Sequence, residues 1–363
     1  MTSADPAKVL RTGLIGCGRI GANTRDDLKK RLGANWLPLS HLDAAIAIPA
    51  LKVTAVCDVD QAAAVAAADK TGYACVYTDP SAMFGAETLD VLMIATRADH
   101  RSALINQAIE NNIQGIHAEK PLGQSVKEVD STIKSLKRAD ICFTYGALRR
   151  YMGIYRDAQA RVIGGAIGEF EHLDIQFGLG GLLWVHPHSV DLIGFFFYED
   201  QPEQVKADFH DLTTKDINNN CLDRDPVLIG ATIRFSSGRQ ATISPVRGLN
   251  MIASGTEGQL AVLGDGSLIV ESNHLTGSEF KSPETWRMTQ EKSSRSGRLT
   301  ALGELVEAVK SQTVDTALMD NIFQQQRILS GFVQSHLAGG GWISLDDVDQ
   351  DLRITGAQNG LAA

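Results

Sequence analysis

Residues 9–21 read VLRTGLIGCGRIG: a short apolar run from Val9 to Ile15, then Gly16-Cys17-Gly18-Arg19-Ile20-Gly21. A strand that hands over to a helix through G-x-G-x-x-G gives glycine a physical task. Without a Cβ the backbone turns tightly and comes close to a pyrophosphate, whose charge is met by free N–H groups and the positive end of the following helix. A glycine-rich turn can also arise from close packing alone, so the surroundings decide. Four further apolar runs follow: LKVTAVC (51–57), DVLMIAT (90–96), GIHAE (115–119) and ICFTYG (141–146). Between two of them Leu104, Ile105, Ala108, Ile109 and Ile113 recur at helical spacing, and Gly115 reads as the stop signal. Strand alternating with helix predicts a doubly wound parallel α/β sheet, a dinucleotide-binding domain over residues 1–145.

The run LKVTAVC is followed by Asp58, placed where a carboxylate accepts hydrogen bonds from both adenosine ribose hydroxyls and repels a ribose 2′-phosphate. NAD is therefore expected as cofactor over NADP. Asp58 lies 42 residues beyond Gly16, where the fingerprint expects an acid about 20 residues past its glycines. The excess is an insertion at about residues 24–40, TRDDLKKRLGANWLPLS, ahead of a helix HLDAAIAI. Its readings are a lid, a partner contact or a passive loop.

From residue 146 to residue 363 the texture changes. Ile229, Ala231, Ile233 and Phe235 alternate with Gly230, Thr232 and Arg234, the pattern of a strand with one wet face. Turn signals at Ser237-Gly238 and at Gly264-Asp265-Gly266 join such strands. Two amphipathic helices follow, one marked by Leu302, Leu305, Val306 and Val309, the other by Ile322, Phe323, Leu329, Phe332 and Val333. This half reads as an α+β domain with a large, mostly antiparallel mixed sheet, serving substrate binding and oligomerisation.

The 363 residues suit two domains, and 44% apolar residues suffice for a large core. A net charge of −9, from 43 acidic against 34 basic residues, repels phosphate backbones and anionic lipid, so neither nucleic acid nor membrane is an expected partner. Five scattered cysteines contain no Cys-x-x-Cys pair, and neither disulfides nor a metal is expected. The opening residues MTSADPAKVL lack a basic start and apolar run, which predicts a cytoplasmic protein.

The stretch from Asp90 to Gly123, ending in Glu119-Lys120-Pro121, resembles the glucose-fructose oxidoreductase, inositol dehydrogenase and MocA family. There a fourth strand, a threonine turn and a histidine lead to Glu-Lys-Pro. YGALRRY (145–151), VIGGAIGEF (162–170) and IASGTEGQLAV (252–262) are similar to further segments of that family, so the likeness covers roughly residues 9 to 345. It implies NAD(P)-dependent oxidation of sugars or cyclitols, and dimers or tetramers. It places Thr96, Arg97, His100 and Glu119 around the cofactor and makes Lys120 a catalytic substrate contact. Independently of the likeness, Lys120 follows a strand end at the carboxyl edge of the sheet, where ligands of doubly wound folds bind.

GGLLWVHPHSVDLIGFF (180–196) is similar to a family segment Asp-x-x-x-His-x-x-Asp. His188 and Asp191 match it, while Trp184 stands where the first Asp is expected. Tryptophan cannot accept a proton, but it can stack on a sugar face or donate through its indole N–H. His186 is an additional titratable group, and Asp191 suits capping or orienting the following helix. Arg149 and Tyr151 open the second half as candidate substrate contacts. The expected activity is oxidation of a hydroxyl of a sugar, sugar derivative or inositol. Lys120 and His188 handle the proton, and Gly16, Gly18, Arg19, Ile20, Gly21 and Asp58 hold NAD. The rival readings are a non-redox sugar conversion through transient oxidation, and a catalytically silent dinucleotide-binding regulator.

Overall fold

The computed structural model describes residues 8–274, 283–290 and 295–356. The helices, in chain order, are α1 (Asp26–Lys29), α2 (His41–Ile46), α3 (Gln61–Thr71), α4 (Pro80–Ala86), α5 (Ala98–Glu110), α6 (Val126–Arg138), α7 (Gly153–Ile163), α8 (His186–Phe196), α9 (Gly297–Ser311) and α10 (Thr316–Leu337). The strands are β1 (Leu10–Ile15), β2 (Leu51–Cys57), β3 (Cys75–Tyr77), β4 (Val91–Ile94), β5 (Gly115–Ala118), β6 (Cys142–Tyr145), β7 (Phe170–Gln176), β8 (Gly180–Gly181), β9 (Pro202–His210), β10 (Ile217–Asn218), β11 (Cys221–Leu222), β12 (Val227–Phe235), β13 (Gln240–Ile243), β14 (Asn250–Gly255), β15 (Gly258–Leu263), β16 (Leu268–His274), β17 (Pro283–Gln290), β18 (Ile343–Ser344) and β19 (Arg353–Ile354). Two compact units result, one of Met1–Gly123, Glu128–Tyr151 and Ser294–Asp320, the other of Gln124–Lys127, Met152–Ser293 and Asn321–Ala363.

The first unit carries a wholly parallel sheet in the order β3-β2-β1-β4-β5-β6. Its strands read as continuous apolar runs because both faces are covered: every residue of β4 and β5 is buried. The order reverses between β1 and β4, so the chain leaves the two strands in opposite lateral directions and opens a crevice at their carboxyl ends. Short β3, with exposed Cys75 and Val76, is the edge strand that no apolar run announced. The side chain of Asp60 caps α3 by accepting from Ala62 and Ala63, and Asp79 caps α4 in the same way.

The helix after the glycine loop is split. Ala22 and Asn23 N–H bond back to Gly18, the chain then makes its excursion through α1 and a 3-10 turn at Ala34–Trp36, and α2 resumes. At the junction His41 N–H donates to Ile20 O (2.9 Å) and Leu42 N–H to Gly21 O (2.9 Å). The ladder thus continues across the gap, and the insertion leaves few orphan backbone groups. Its return is pinned to α9: Ser296 Oγ donates to Pro38 O and Arg298 Nε to Leu39 O.

Helix α9 covers the other end of the same sheet. Gly115, read from the sequence as a helix stop, is instead the first residue of β5. A Cβ there would lie 2.5 Å from Val309 Cγ2, so glycine admits the helix to the strand. The stop falls earlier, at Asn111, and Asn112 takes the left-handed turn (φ +57°).

The second unit is built on a mixed sheet in the order β17-β16-β15-β14-β7-β13-β12-β9-β18, with β8 pairing to β12 off that path; only β13 and β7 run parallel. Leu173 and Ile175, Val205 and Phe209, and Met251 and Ala253 turn one way into the core. On the opposite face Thr242 Oγ1 donates to Asp174 (2.7 Å), and His172 lies beside the same hydroxyl. The expected phase fails at one point. A bulge between Leu228 and Gly230 shifts the register, so Leu228 is buried and Ile229 is not. The turn at Gly264-Asp265-Gly266 places all three residues at positive φ, and Gly238 (φ +87°) closes the β12–β13 hairpin.

Leu305 (1% exposed) lies in the packing of α9 on β5. Leu305→Ala is expected to lower unfolding stability by about 2–5 kcal/mol, read as a shifted urea midpoint with an unchanged slope.

Candidate active site

At the end of β1, Gly16 has φ +92°, and a Cβ on it would sit 2.8 Å from the carbonyl of Ala95. At Gly21 a Cβ would fall 1.8 Å from Gly16 O. Neither position admits a side chain. Gly18 differs, since a Cβ there meets nothing within 4 Å, which leaves an open cradle on the exposed side of the loop. Asp58 completes it: its Oδ2 accepts from Cys17 N–H (2.6 Å) and its Oδ1 from Asp60 N–H (2.9 Å), fixing the carboxylate against the loop. This set fits a dinucleotide with an unphosphorylated ribose. The Cys17 thiol is pushed up to about 12 by burial and by the charge of Asp58, so it stays protonated in the loop.

Two loops at the carboxyl edge flank this crevice. After β4, Thr96 and Arg97 lead into α5, where Arg97 is the N-cap residue, and exposed His100 lies 3.6 Å from Asp99. After β5 come Glu119, Lys120 and Pro121, with a cis Lys120–Pro121 bond. Arg101, buried in α5, donates to the carbonyls of both Thr96 and Pro121 and so ties the two loops together. Lys120 is half-buried, and its backbone N–H donates to Glu119 Oε2 (3.2 Å).

Glu119 is buried in a charged cluster. Its Oε1 accepts from Arg298 Nη2 (2.5 Å) and from His41 Nε2 (3.2 Å). Burial alone would raise its pKa, but Arg298 and His41 hold the carboxyl well below its usual range. Arg298 Nη1 reaches His117 Nε2 at 2.6 Å. A guanidinium only donates, so His117 is the acceptor there and its Nδ1–H points to Thr144 Oγ1 (2.9 Å). Burial, then the neighbouring Arg298, keeps His117 neutral, and the same causes push His41 down to about 4.

No motif marked Arg298, Arg101, His41 or His117. The two arginines had a signal of another kind. Arg298 precedes Leu302 and Leu305, and Arg101 precedes Leu104 and Ile105, each at helical spacing on the apolar stripe, where an unpartnered charge is costly.

Arg149 and Tyr151 belong to the first unit, in a short 3-10 turn after β6. Both are buried; the Arg149 guanidinium lies 5.0 Å from the ring centre of Trp36 in the insertion, and Tyr151 Oη accepts from Tyr145 N–H.

The remaining candidates lie in the second unit. Trp184 is 57% exposed on the loop before α8; its N–H and that of Leu183 donate to the Asp225 carboxylate (3.0 and 2.7 Å), which fixes the loop. His186 is wholly buried, its Nδ1 3.1 Å from Ser189 Oγ, and burial pushes it down to about 4. His188, two residues on in α8, is half-buried. Asp191 is not a cap. It lies inside α8, 1% exposed, and accepts from Gln325 Nε2 of α10 (2.7 Å). Among the described residues no group of three or more His, Cys, Asp or Glu converges as a metal site, and no helix is long and apolar enough to cross a membrane.

Two outcomes follow from this geometry. Asp58→Ala is expected to weaken NAD binding by about tenfold or more and to narrow the difference between NAD and NADP, as read by titration calorimetry. Stability should fall between pH 6.5 and about 4. His41 and His186 stay neutral in the folded chain, so the unfolded chain binds more protons in that window. Each contributes on the order of 3 kcal/mol, lost as pH falls, and urea midpoints for His41→Gln should vary less with pH than those of the wild type.

The comparisons agree with the geometry of the first unit. The family model described as an oxidoreductase family with NAD-binding Rossmann fold matches residues 10–147. The chain is 24% identical over 253 residues to myo-inositol 2-dehydrogenase of Thermotoga maritima, covering 66% of this chain and 69% of that protein. It is 29% identical over 122 residues to scyllo-inositol 2-dehydrogenase (NAD(+)) of Bacillus subtilis, a match spanning 34% of this chain and 35% of that one. A solved oxidoreductase from Agrobacterium radiobacter, in complex with NAD+, L-tartaric acid and magnesium, shares the fold with a TM-score of 0.71 at 16% identity, over 93% of this chain and 99% of its own. Residues 10–147 thus match the model of an oxidoreductase family with NAD-binding Rossmann fold, and the chain is an NAD-binding oxidoreductase.

Proposed function

We propose that the chain is an NAD-dependent dehydrogenase that oxidises a hydroxyl of a sugar, a sugar derivative or an inositol, with Lys120 and His188 as its proton-handling groups. The observation that carries this reading is the Glu119-Lys120-Pro121 turn, braced at the carboxyl edge of the parallel sheet by Arg101 and by the Glu119 carboxylate. The names of the Thermotoga maritima and Bacillus subtilis relatives support an inositol or a similar ring as substrate.

In this reading Gly16, Gly18, Arg19, Ile20, Gly21 and Asp58 hold the dinucleotide, with Thr96, Arg97 and His100 at the neighbouring turn. When bound, NAD supplies the acceptor for the two electrons that leave the carbinol carbon. The Lys120 ammonium donates a hydrogen bond to the reacting hydroxyl oxygen and stabilises the negative charge that develops there. The His188 imidazole takes the hydroxyl proton. Trp184, held by Asp225 with its ring exposed, offers a stacking face to a saturated ring that carries axial C–H groups. Arg149, Tyr151, His186 and Asp191 shape the substrate contacts. The open face of the second sheet is assigned to pairing with further copies of the chain, as a homo-dimer or homo-tetramer, and the setting to the cytoplasm.

Trp184 also favours a second reading, a dinucleotide-binding regulator, because no carboxylate stands at that position to share the proton with His188. A panel of sugars and inositols incubated with NAD or NADP separates the two: reduced cofactor is expected with NAD and at least one polyol. Absence of reduction across the panel, with NAD bound, favours the regulator, or a conversion with no net redox change. Lys120→Met should lower kcat by about a hundredfold or more while NAD affinity is retained. Wild-type turnover by that folded, NAD-binding variant would overturn the role given to Lys120.

A further inference from the structure

Among the donors to Glu119, Arg298 stands apart, because it arrives from a helix nearly 180 residues away in sequence and carries a full charge into the core. We propose that Arg298 is a positioning residue for Lys120: through Glu119 it fixes the backbone of the Lys120 turn, and it offsets the Glu119 charge that the Lys120 ammonium feels. The inference rests on the reading of Lys120 as the proton-handling lysine.

The geometry divides the work between the two oxygens of Glu119. Oε2 accepts the Lys120 N–H, while Oε1 is occupied by Arg298 Nη2 and His41 Nε2. Gly146 leaves room for this orientation: a Cβ there would stand 2.7 Å from Oε2, so any side chain at that position would crowd the carboxylate. A carboxylate with one oxygen anchored by a guanidinium has a defined orientation, and the amide that bonds the other oxygen inherits it.

Arg298 is itself fixed. Nε donates to Leu39 O (3.2 Å), Nη1 to His117 Nε2 (2.6 Å) and Nη2 to Glu119. The planar fork thereby spans the return of the insertion, β5 and the residue beside Lys120. At 1% exposure, an arginine whose role was only to fill space would be replaced at lower cost by leucine or methionine, the residues of the stripe it interrupts. A lysine could not replace it fully, since a single ammonium cannot hold three acceptors in the plane of the fork.

Charge gives the second consequence. Glu119 and Lys120 are adjacent and feel each other's charge. With Arg298 in place the buried carboxylate is already paired with a full positive charge, so less of its pull falls on the Lys120 ammonium. Without it, the cations that still feel the Glu119 charge are Lys120 and Arg101, and the Arg101 guanidinium is already engaged by the carbonyls of Thr96 and Pro121. The lysine proton is then held more tightly and its head group is drawn toward Glu119.

The test uses the 363-residue chain without cofactor. Acetylation of Lys120 by acetic anhydride, followed by mass spectrometry across pH, reads the titration of that amine without relying on turnover. Arg298→Met should move the midpoint up by about one unit and Glu119→Gln should move it down. The double variant Glu119→Gln with Arg298→Met removes both charges and should return it close to wild type, and it also serves if the single variant fails to fold. With a substrate from the panel, Arg298→Met should lose about ten- to a hundredfold in kcat with KM and NAD affinity within about threefold, and Arg298→Lys should recover part of the loss. Unmoved midpoints in the single charge variants, or a loss shared equally by kcat and NAD affinity with no change in pH dependence, would overturn the positioning role. If Lys120→Met loses turnover while the Arg298 variants keep it, only this inference fails. If Lys120→Met itself remains active, the reading of Lys120 fails and the inference with it.

Discussion

A carboxylate enclosed by protein must be matched by donors or it takes up a proton, and the first unit is arranged around one such group, Glu119. Its partners come from four separate stretches of chain: His41 from the helix after the insertion, Arg298 from α9, the amide of Lys120, and Gly146, which contributes only the absence of a side chain. Each would be expensive alone. A buried guanidinium, two buried imidazoles and a buried carboxylate become tolerable together because every charge has a counter-charge and nearly every donor an acceptor. The residue that benefits is the neighbour of Glu119. The cluster converts the flexible end of a strand into a turn of defined shape, and Lys120 stands on that turn.

The insertion belongs to the same account. Seventeen or so extra residues inside a dinucleotide-binding helix would ordinarily expose broken backbone bonds, yet the helix resumes with His41 and Leu42 bonded to Ile20 and Gly21 as though the gap were absent. The two ends of the excursion therefore lie side by side, which keeps the entropic cost of closing it modest. Its returning strand then supplies the carbonyls of Pro38 and Leu39 to Ser296 and Arg298. The open alternatives of lid, partner contact and passive loop did not include this one. The root of the insertion is part of the packing that supports the Lys120 turn, while Trp36 faces Arg149.

Much of the fold was readable from local pattern. The mostly apolar runs marked five of the six parallel strands, since a strand buried on both faces has few polar positions to interrupt it. The missed strand, β3, is a three-residue edge strand with little to bury. In the second sheet the alternation held except at Ile229, where a bulge changes the phase, and a bulge depends on how two strands pair. Gly115 misled because glycine serves both to end helices and to admit a close neighbour, and only the neighbour, Val309, tells which.

The candidate site divides along the same line. The glycine loop and the Glu-Lys-Pro turn are each encoded within a few consecutive residues, because backbone conformation at a turn is a local property, and these the sequence determined by itself; Asp58 meets the loop through Cys17 N–H, 41 residues away, a contact the fold makes. Asp191 suited capping or orienting a helix by its position; it lies inside α8 as a buried acceptor for Gln325, 134 residues away. Arg298, Arg101, His41 and His117 carry no motif, because their meaning lies in partners brought together by packing of α9, α5 and β5 rather than in any spacing along the chain. Which charges neutralise one another, which histidines stay neutral and which backbone carbonyls receive the arginine forks were decided only by the tertiary structure, since electrostatic pairing depends on distance in space and on the exclusion of water, and neither is written in the order of the residues.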